Sequence, residues 1–260
     1  MIREITYVLM DPAHNYTILA ETAVPEELQP DAAARLMERE PLAEQVGFLT
    51  TRGDMPALRM AGGEFCGNAA MSAAVRQAEK AGIPDGTTAL WVSGAKQPVS
   101  VSVKQKGEHL WAASVTMPEA GDVVMTDLPG GYRLPVVPFG GIAHVILEDP
   151  SSKGRAEELA KQWCAFLHRD AVGLMYYNAP EAKLDPLVYV PGADTMCWES
   201  ACGSGSSAVG VYLAQRCGKP VTAVLKQPGG VLEVKADPAG SVILSGTVKQ
   251  VYQKTVGIDL

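Results

Sequence analysis

The sequence predicts an α/β (α+β) protein made of two similar halves. Three observations carry that expectation. Short strand-like apolar runs alternate with only four helical stretches. A Cys-Gly pair opens a small-residue helix twice, at Cys66 and at Cys202. The two cysteines stand 136 residues apart in a chain of 260, the spacing of a unit used twice.

The elements follow in order. Ile2–Leu9 and Tyr16–Glu21 read as strands flanking the turn residues Asp11, Pro12 and Asn15. Pro30–Glu40 has helical spacing, with Leu36 and Met37 among alanines. Gln45–Thr50 and Ala57–Met60 are strand-like, and the helix opened at Cys66 runs to about Ala81. Three further strands are expected at Thr88–Val92, Val99–Lys104 and Glu108–Met117. Residues 118–131, rich in Pro and Gly, read as a linker. Beyond it come strands at Tyr132–Val137 and Ile142–Leu147, a helix at Arg155–His168, and strands at Val172–Tyr177 and Leu184–Val190. The helix opened at Cys202 runs to Cys217, and Val221–Lys226, Val231–Lys235, Val242–Gly246 and Val248–Gln253 end the chain as strands. The expected domains are residues 1–119, to which a last strand at 247–260 returns, and residues 120–246.

Composition narrows the function classes. Hydrophobic residues at 47% and charged residues at 20% suit a folded globular chain. The net charge of −7, without a Lys/Arg cluster, disfavours nucleic acid and anionic membrane surfaces as partners. No apolar run approaches the roughly 18 residues of a membrane span. The opening MIREITYVLMD reads as a strand and not as a signal peptide, so the expected location is cytoplasmic. Five cysteines, an odd number, argue against a disulfide framework.

The repeated motif suits a particular chemistry. A cysteine at a helix start sits among backbone N–H groups and the positive end of the helix dipole, which favour the thiolate. Glycines after the sulfur let a ligand reach those N–H groups, which can hold a carboxylate. Inverting a stereocentre requires a proton taken from one face and another supplied to the opposite face. A thiolate and a thiol do this and exchange roles in reverse. Taken singly, each cysteine has packing as its alternative reading, and Cys164, Cys197 and Cys217 are assigned to packing. Cys197 and Cys202 have a Cys-x4-Cys spacing, but no second Cys/His pair completes a zinc site. His14 and His144 are each open to two readings, a ligand-binding residue or a satisfied core histidine. No motif calls for a metal or for pyridoxal phosphate.

At the two motifs the sequence resembles the diaminopimelate epimerase-like superfamily of cofactor-independent racemases, and within it the histidine racemases. Gly63-Glu64-Phe65-Cys66-Gly67-Asn68-Ala69 and Trp198-Glu199-Ser200-Ala201-Cys202-Gly203-Ser204-Gly205 carry the resemblance. Supporting stretches are His14–Leu19, Glu44–Phe48, Val92-Ser93-Gly94 and Gln227-Pro228-Gly229-Gly230.

The resemblance implies two pseudo-symmetric domains, each a curved, mostly antiparallel sheet wrapped around a central helix, with the active site in the cleft between them. It implies Cys66 and Cys202 as the base/acid pair. Asn15, Gln45 and Asn68 would contact the α-amino or α-carboxylate group of the substrate. The N–H groups of Gly67, Asn68, Gly203, Ser204 and Gly205 would bind the carboxylate. Glu44 and Glu199 are candidates for the ammonium or imidazole end, and His144 is a further candidate contact. Related enzymes are often dimers, so a homodimer is expected.

Two departures bear on the substrate. Diaminopimelate epimerases carry a Glu-Arg pair after the strand that here reads Leu187–Val190, whereas this chain has Pro191-Gly192. The Arg that would grip a distal carboxylate is absent. Gly63 stands where histidine racemases more often have Asn. Both cysteines are present, which favours racemisation over the dehydration of relatives that lack the second one. The sequence thus predicts a racemase of L- and D-histidine. The alternatives are an epimerase of diaminopimelate or hydroxyproline type, and a non-catalytic amino-acid-binding or thiol redox relative.

Overall fold

A computed structural model describes residues 2–193 and 195–260. The first elements are β1 (Ile2–Pro12), β2 (Thr17–Ala20), α1 (Gln29–Arg39), β3 (Gln45–Arg52), β4 (Met55–Met60), α2 (Gly67–Ala81), β5 (Asp85–Val92), β6 (Val99–Gly107) and β7 (Leu110–Thr116). There follow β8 (Val124–Leu128), β9 (Tyr132–Phe139), β10 (Ile142–Leu147), α3 (Ala156–Leu167), β11 (Ala171–Asn178), β12 (Lys183–Val190) and β13 (Thr195–Trp198). The chain ends with α4 (Gly203–Cys217), β14 (Val221–Gln227), β15 (Gly230–Ala236) and β16 (Val242–Asp259). The result is an α+β fold, mostly sheet, with few helices. It forms two compact units, residues 1–116 with 245–260, and residues 117–244.

In the first unit the strands run β1-β2-β3-β4-β5-β6-β7-β16, and β16 also pairs with β1. The apolar run in β1 is buried on both sides, as a strand covered on both faces requires. Ile5, Tyr7 and Leu9 pack with Ala32, Ala33 and Leu36 of α1 and with Val46 and Phe48 of β3. Val8 and Met10, of opposite parity, are also fully buried. Helix α2 packs against β1, β2, β5, β6 and β7. Its many alanines let backbone approach backbone, and Gly67–Arg76 are all buried. Gly82, in the left-handed conformation, ends the helix.

In the second unit the strands run β15-β14-β12-β11-β10-β9-β8, with β13 paired to β12. Helix α3 sets Leu159, Ala160 and Trp163 against Val145 of β10, Val172 and Leu174 of β11, and Leu187 of β12. Helix α4 packs against β9, β10, β11, β14 and β15. No helix among the described residues is long and apolar enough to cross a membrane.

Two expectations about elements are corrected, and one strand is not foreseen from the sequence. The Pro/Gly-rich stretch 118–131 is not a plain linker. It contains β8, which pairs antiparallel with β9 from Val124↔Val136 to Leu128↔Tyr132, and Gly130 and Gly131 take positive φ at the turn. Gly130 and Gly131, which read as part of a linker, are hairpin residues. The two strands expected at the C-terminus are one, because β1 pairs with β16 from Val248 to Asp259 and keeps even the polar Gln253-Lys254-Thr255 stretch extended. The short strand β13 carries no alternation long enough to read, and it exists through its pairing with β12.

Candidate active site

Each motif cysteine is the N-cap of its helix. Cys66 and Cys202 have extended backbones, and each sulfur accepts a helix N–H, from Ala69 at 3.4 Å and from Gly205 at 3.3 Å. This is the geometry of a Ser or Asp cap with sulfur in the place of oxygen. Both thiols thus sit among first-turn N–H groups, where an anion is favoured. The approach to Cys66 is fixed from a distance. Ser93 Oγ donates to the Glu64 carbonyl at 2.7 Å and accepts the Met60 N–H at 2.9 Å. A side chain at Gly94, whose φ is +75°, would collide with the Phe65 backbone.

Around the start of α2 the expected residues form one hydrogen-bonded cluster. Asn15 Nδ2 donates to Glu44 Oε2 at 2.5 Å, and Asn15 Oδ1 accepts from Gln45 Nε2 at 2.7 Å and from Asn68 Nδ2 at 2.9 Å. Gln45 Nε2 also reaches Thr17 Oγ1 at 2.8 Å. Asn15, Glu44, Gln45, Gly67 and Asn68 are therefore brought together with Cys66. Glu44 supplies carboxylate charge and the amides supply direction. A cavity of about 490 Å³ lies at the other end of α2, lined by Arg76, Glu79 and Trp111, and no residue of this cluster lines it.

The start of α4 is more enclosed. Cys202 is 4% exposed, whereas Cys66 is half-buried. The Cys202 N–H donates to Gln227 Oε1 at 2.8 Å, and Gln227 Nε2 donates to Ser206 Oγ at 3.0 Å. Ser206 Oγ in turn donates to the Cys202 carbonyl at 2.6 Å. Ser204 Oγ lies 3.6 Å from the sulfur, and the Glu199 carboxylate is hydrogen-bonded to the thiol. Glu199, Gly203, Ser204 and Gly205 therefore lie around Cys202.

Electrostatics corrects one expectation. A helix start should pull a thiol down, yet Cys202 is held well above the ordinary thiol range. Burial is the largest cause, and the Glu199 charge and hydrogen bond add to it. The Ser204 and Gly205 donors oppose these and lose.

His144 departs from its role as a direct contact. It is fully buried on β10, and its ring lies edge-on to Phe139 at 6.5 Å between centroids. Neither ring nitrogen has a hydrogen-bond partner among the described residues, and burial pushes its pKa down to about 3. It is a neutral imidazole inside the wall of the second unit. Neither does it form the satisfied core histidine of the other reading. Among the described residues, no group of three His, Cys, Asp or Glu side chains is arranged to hold a metal ion.

Three residues of these clusters escape sequence reasoning. Thr17 looks like an ordinary strand residue. Gln227 stands in a recognisable Gln-Pro-Gly-Gly stretch, but its bond to Cys202 spans 25 residues and leaves no local signal. Met175, whose sulfur sits beside Gly205 and the Cys202 sulfur, lies in a continuous apolar run.

Residues 4–255 match the family model described as the histidine racemase CntK N-terminal domain. A histidine racemase of Fusobacterium nucleatum is 29% identical over 241 residues, covering 89% of each chain. One of Staphylococcus aureus is 28% identical over 240 residues, covering 86% of this chain and 85% of the other. Among solved structures, a predicted epimerase from Pseudomonas aeruginosa superposes with a TM-score of 0.73 at 16% identity, covering 97% of this chain and 99% of that one. A hydroxyproline epimerase from Agrobacterium vitis gives 0.73 at 14% identity, covering 99% and 94%.

Proposed function

The chain belongs to the histidine racemase family, and from that premise we propose that it interconverts L- and D-histidine by a two-base thiol mechanism. It is an isomerase, a cofactor-independent amino-acid racemase, in keeping with its histidine racemase relatives. The observation that carries the mechanism is the repeated cap. Two cysteines each present a sulfur at the first turn of a helix, Cys66 on α2 and Cys202 on α4. One removes the Cα proton as thiolate, and the other returns a proton to the opposite face as thiol.

The first-turn N–H groups of Gly67, Asn68, Gly203, Ser204 and Gly205 are assigned to the substrate carboxylate, whose negative charge grows as the proton leaves. Asn15, Gln45 and Asn68 orient the α-substituents. Glu44, already aligned by Asn15, and Glu199, beside Cys202, are assigned to the ammonium and imidazole ends. The finer form of the fold belongs to this proposal, namely two pseudo-symmetric units, each a curved sheet around a central helix. The packing of α2 and of α4 against five strands of their own units supports it.

The test is incubation with L-histidine and other amino acids in D2O under reducing conditions. Deuterium at Cα is followed by NMR and racemisation by optical rotation. Exchange and loss of rotation with histidine are expected. The absence of Cα exchange with every α-amino acid would overturn the racemase reading, and exchange confined to another amino acid would move the substrate.

A further inference from the structure

Strand alternation divides the second unit into two faces. Ala143, Val145 and Leu147 of β10 and Val172, Leu174 and Tyr176 of β11 belong to the core that packs on α3. Residues of the other parity, His144 beside Gly173 in register and then Met175, point to the opposite face, which α4 covers.

Two glycines make room on that face. A Cβ on Gly173 would overlap the His144 ring and the Met175 methyl group. A Cβ on Gly205 would overlap Met175 Sδ and come within 3.1 Å of Cys202 Sγ. The Met175 side chain, fully buried, therefore adjoins both the His144 imidazole and the Cys202 sulfur. The first unit is built differently, since the matching helix position carries Ala69 and Cys66 is half-buried.

We propose that Met175 is a positioning residue for Cys202: its thioether fills the space behind the sulfur and keeps water off it, so that Cys202 carries the proton in the resting enzyme. The inference rests on the two-thiol reading above. A thioether is at most a weak acceptor and offers a thiolate no donor, so it solvates the neutral thiol and not the ion. Among the described residues, the titratable groups around the sulfur are the Glu199 carboxylate and, beyond Met175, the His144 imidazole, while β14 contributes the neutral Gln227. Neither Glu199 nor a neutral imidazole in a dry wall favours ionisation of the thiol. In the first half-reaction Cys66 takes the Cα proton and Cys202 gives its own to the opposite face. The enzyme is left as Cys66 thiol and Cys202 thiolate until solvent restores the resting state.

The space behind the sulfur stays dry only while it is filled. Removing the Met175 side chain would open a void next to His144 Nδ1, which has no hydrogen-bond partner among the described residues, and a water needs such a polar neighbour. The experiment is alkylation of Cys202 by iodoacetamide across pH 6–11 without substrate, resolved by mass spectrometry of the Cys202 peptide. Wild type, Met175→Ala and Met175→Leu are compared. In Met175→Ala the midpoint is expected to fall by about one pH unit as water reaches the sulfur. Met175→Leu, which keeps the volume, should titrate near wild type. Equal midpoints in wild type and a folded Met175→Ala overturn the proposal, and so does a Met175→Leu shift as large as that of Met175→Ala. If Met175→Ala fails to fold, Met175→Gln replaces it, with the same fall expected and an unmoved midpoint overturning the proposal. The readout involves no turnover, so its failure is distinct from failure of the racemase reading, which the D2O experiment tests.

Discussion

The amide of Gln227 holds the backbone of Cys202, accepting its N–H at 2.8 Å across 25 residues of sequence. Replacing Gln227 with Ala leaves that N–H and Ser206 Oγ without this partner in a buried site. A loss of about 1–3 kcal/mol in unfolding free energy is expected. Racemisation should fall further than stability alone accounts for, because the sulfur rides on the displaced backbone. Chemical denaturation and kcat measured on the same sample separate the two effects.

The Glu199 carboxylate raises the Cys202 thiol both by its charge and by its hydrogen bond. Glu199→Gln removes the charge and keeps the size. The pH at which Cys202 is half alkylated should drop, and the thiolate fraction at pH 8 should rise. An unmoved titration would show that burial alone, the largest cause, holds the thiol protonated.

Each motif thiol is assigned a proton-transfer role on its own face of the substrate. Cys66→Ser and Cys202→Ser should each lower racemisation by roughly 10²–10⁴-fold or more, with the far-UV spectrum unchanged. A single variant with full activity would refute the two-base mechanism.

His144 makes stability depend on pH below about 6.5, from a point above the ordinary carboxylate range. Its pKa falls from 6.5 to about 3 on folding, so between those values the unfolded chain binds a proton that the native chain does not. Stability is fully present above about pH 6.5 and is lost as pH falls toward 3, by at most about 1.4 kcal/mol per pH unit. From pH 6.5 to 5 this amounts to no more than about 2 kcal/mol. Urea midpoints at these pH values should show the slope in wild type and lose most of it in His144→Leu.

Arg76 binds α2 to its surroundings from inside the first unit. Its guanidinium grips Glu21 through Nε at 2.7 Å and Nη2 at 3.2 Å, and it also donates to Gln250 and Gln253. Arg76→Ala breaks a mostly buried pair and should cost about 3–5 kcal/mol. Glu21→Gln should cost less, since Arg76 keeps both glutamines. Thermal melts of the two variants would show the order, and the reverse order would contradict this account.

Much of this protein is decided within a few residues of chain. A cysteine before Gly67 or Gly203, followed by small helix-forming residues, is enough to start a helix and to aim its N–H groups at a sulfur, because a cap is made within one turn. That is why the paired motif, the helices that follow it and most strands are legible in the sequence, as are Asn15, Glu44, Gln45 and Asn68 through their resemblance to the family. What depends on distant partners is not legible. The hairpin strand β8, the short β13 and the far end of β16 exist because a neighbouring strand pairs with them. Gln227, Thr17 and Met175 gain their roles only when other strands bring them to a helix start. The protonation of Cys202 shows the division most sharply. The local helix start favours the thiolate, but burial by α4 and β11 and the proximity of Glu199 favour the thiol. Solvation and charge act through space, so only the tertiary structure decides between them.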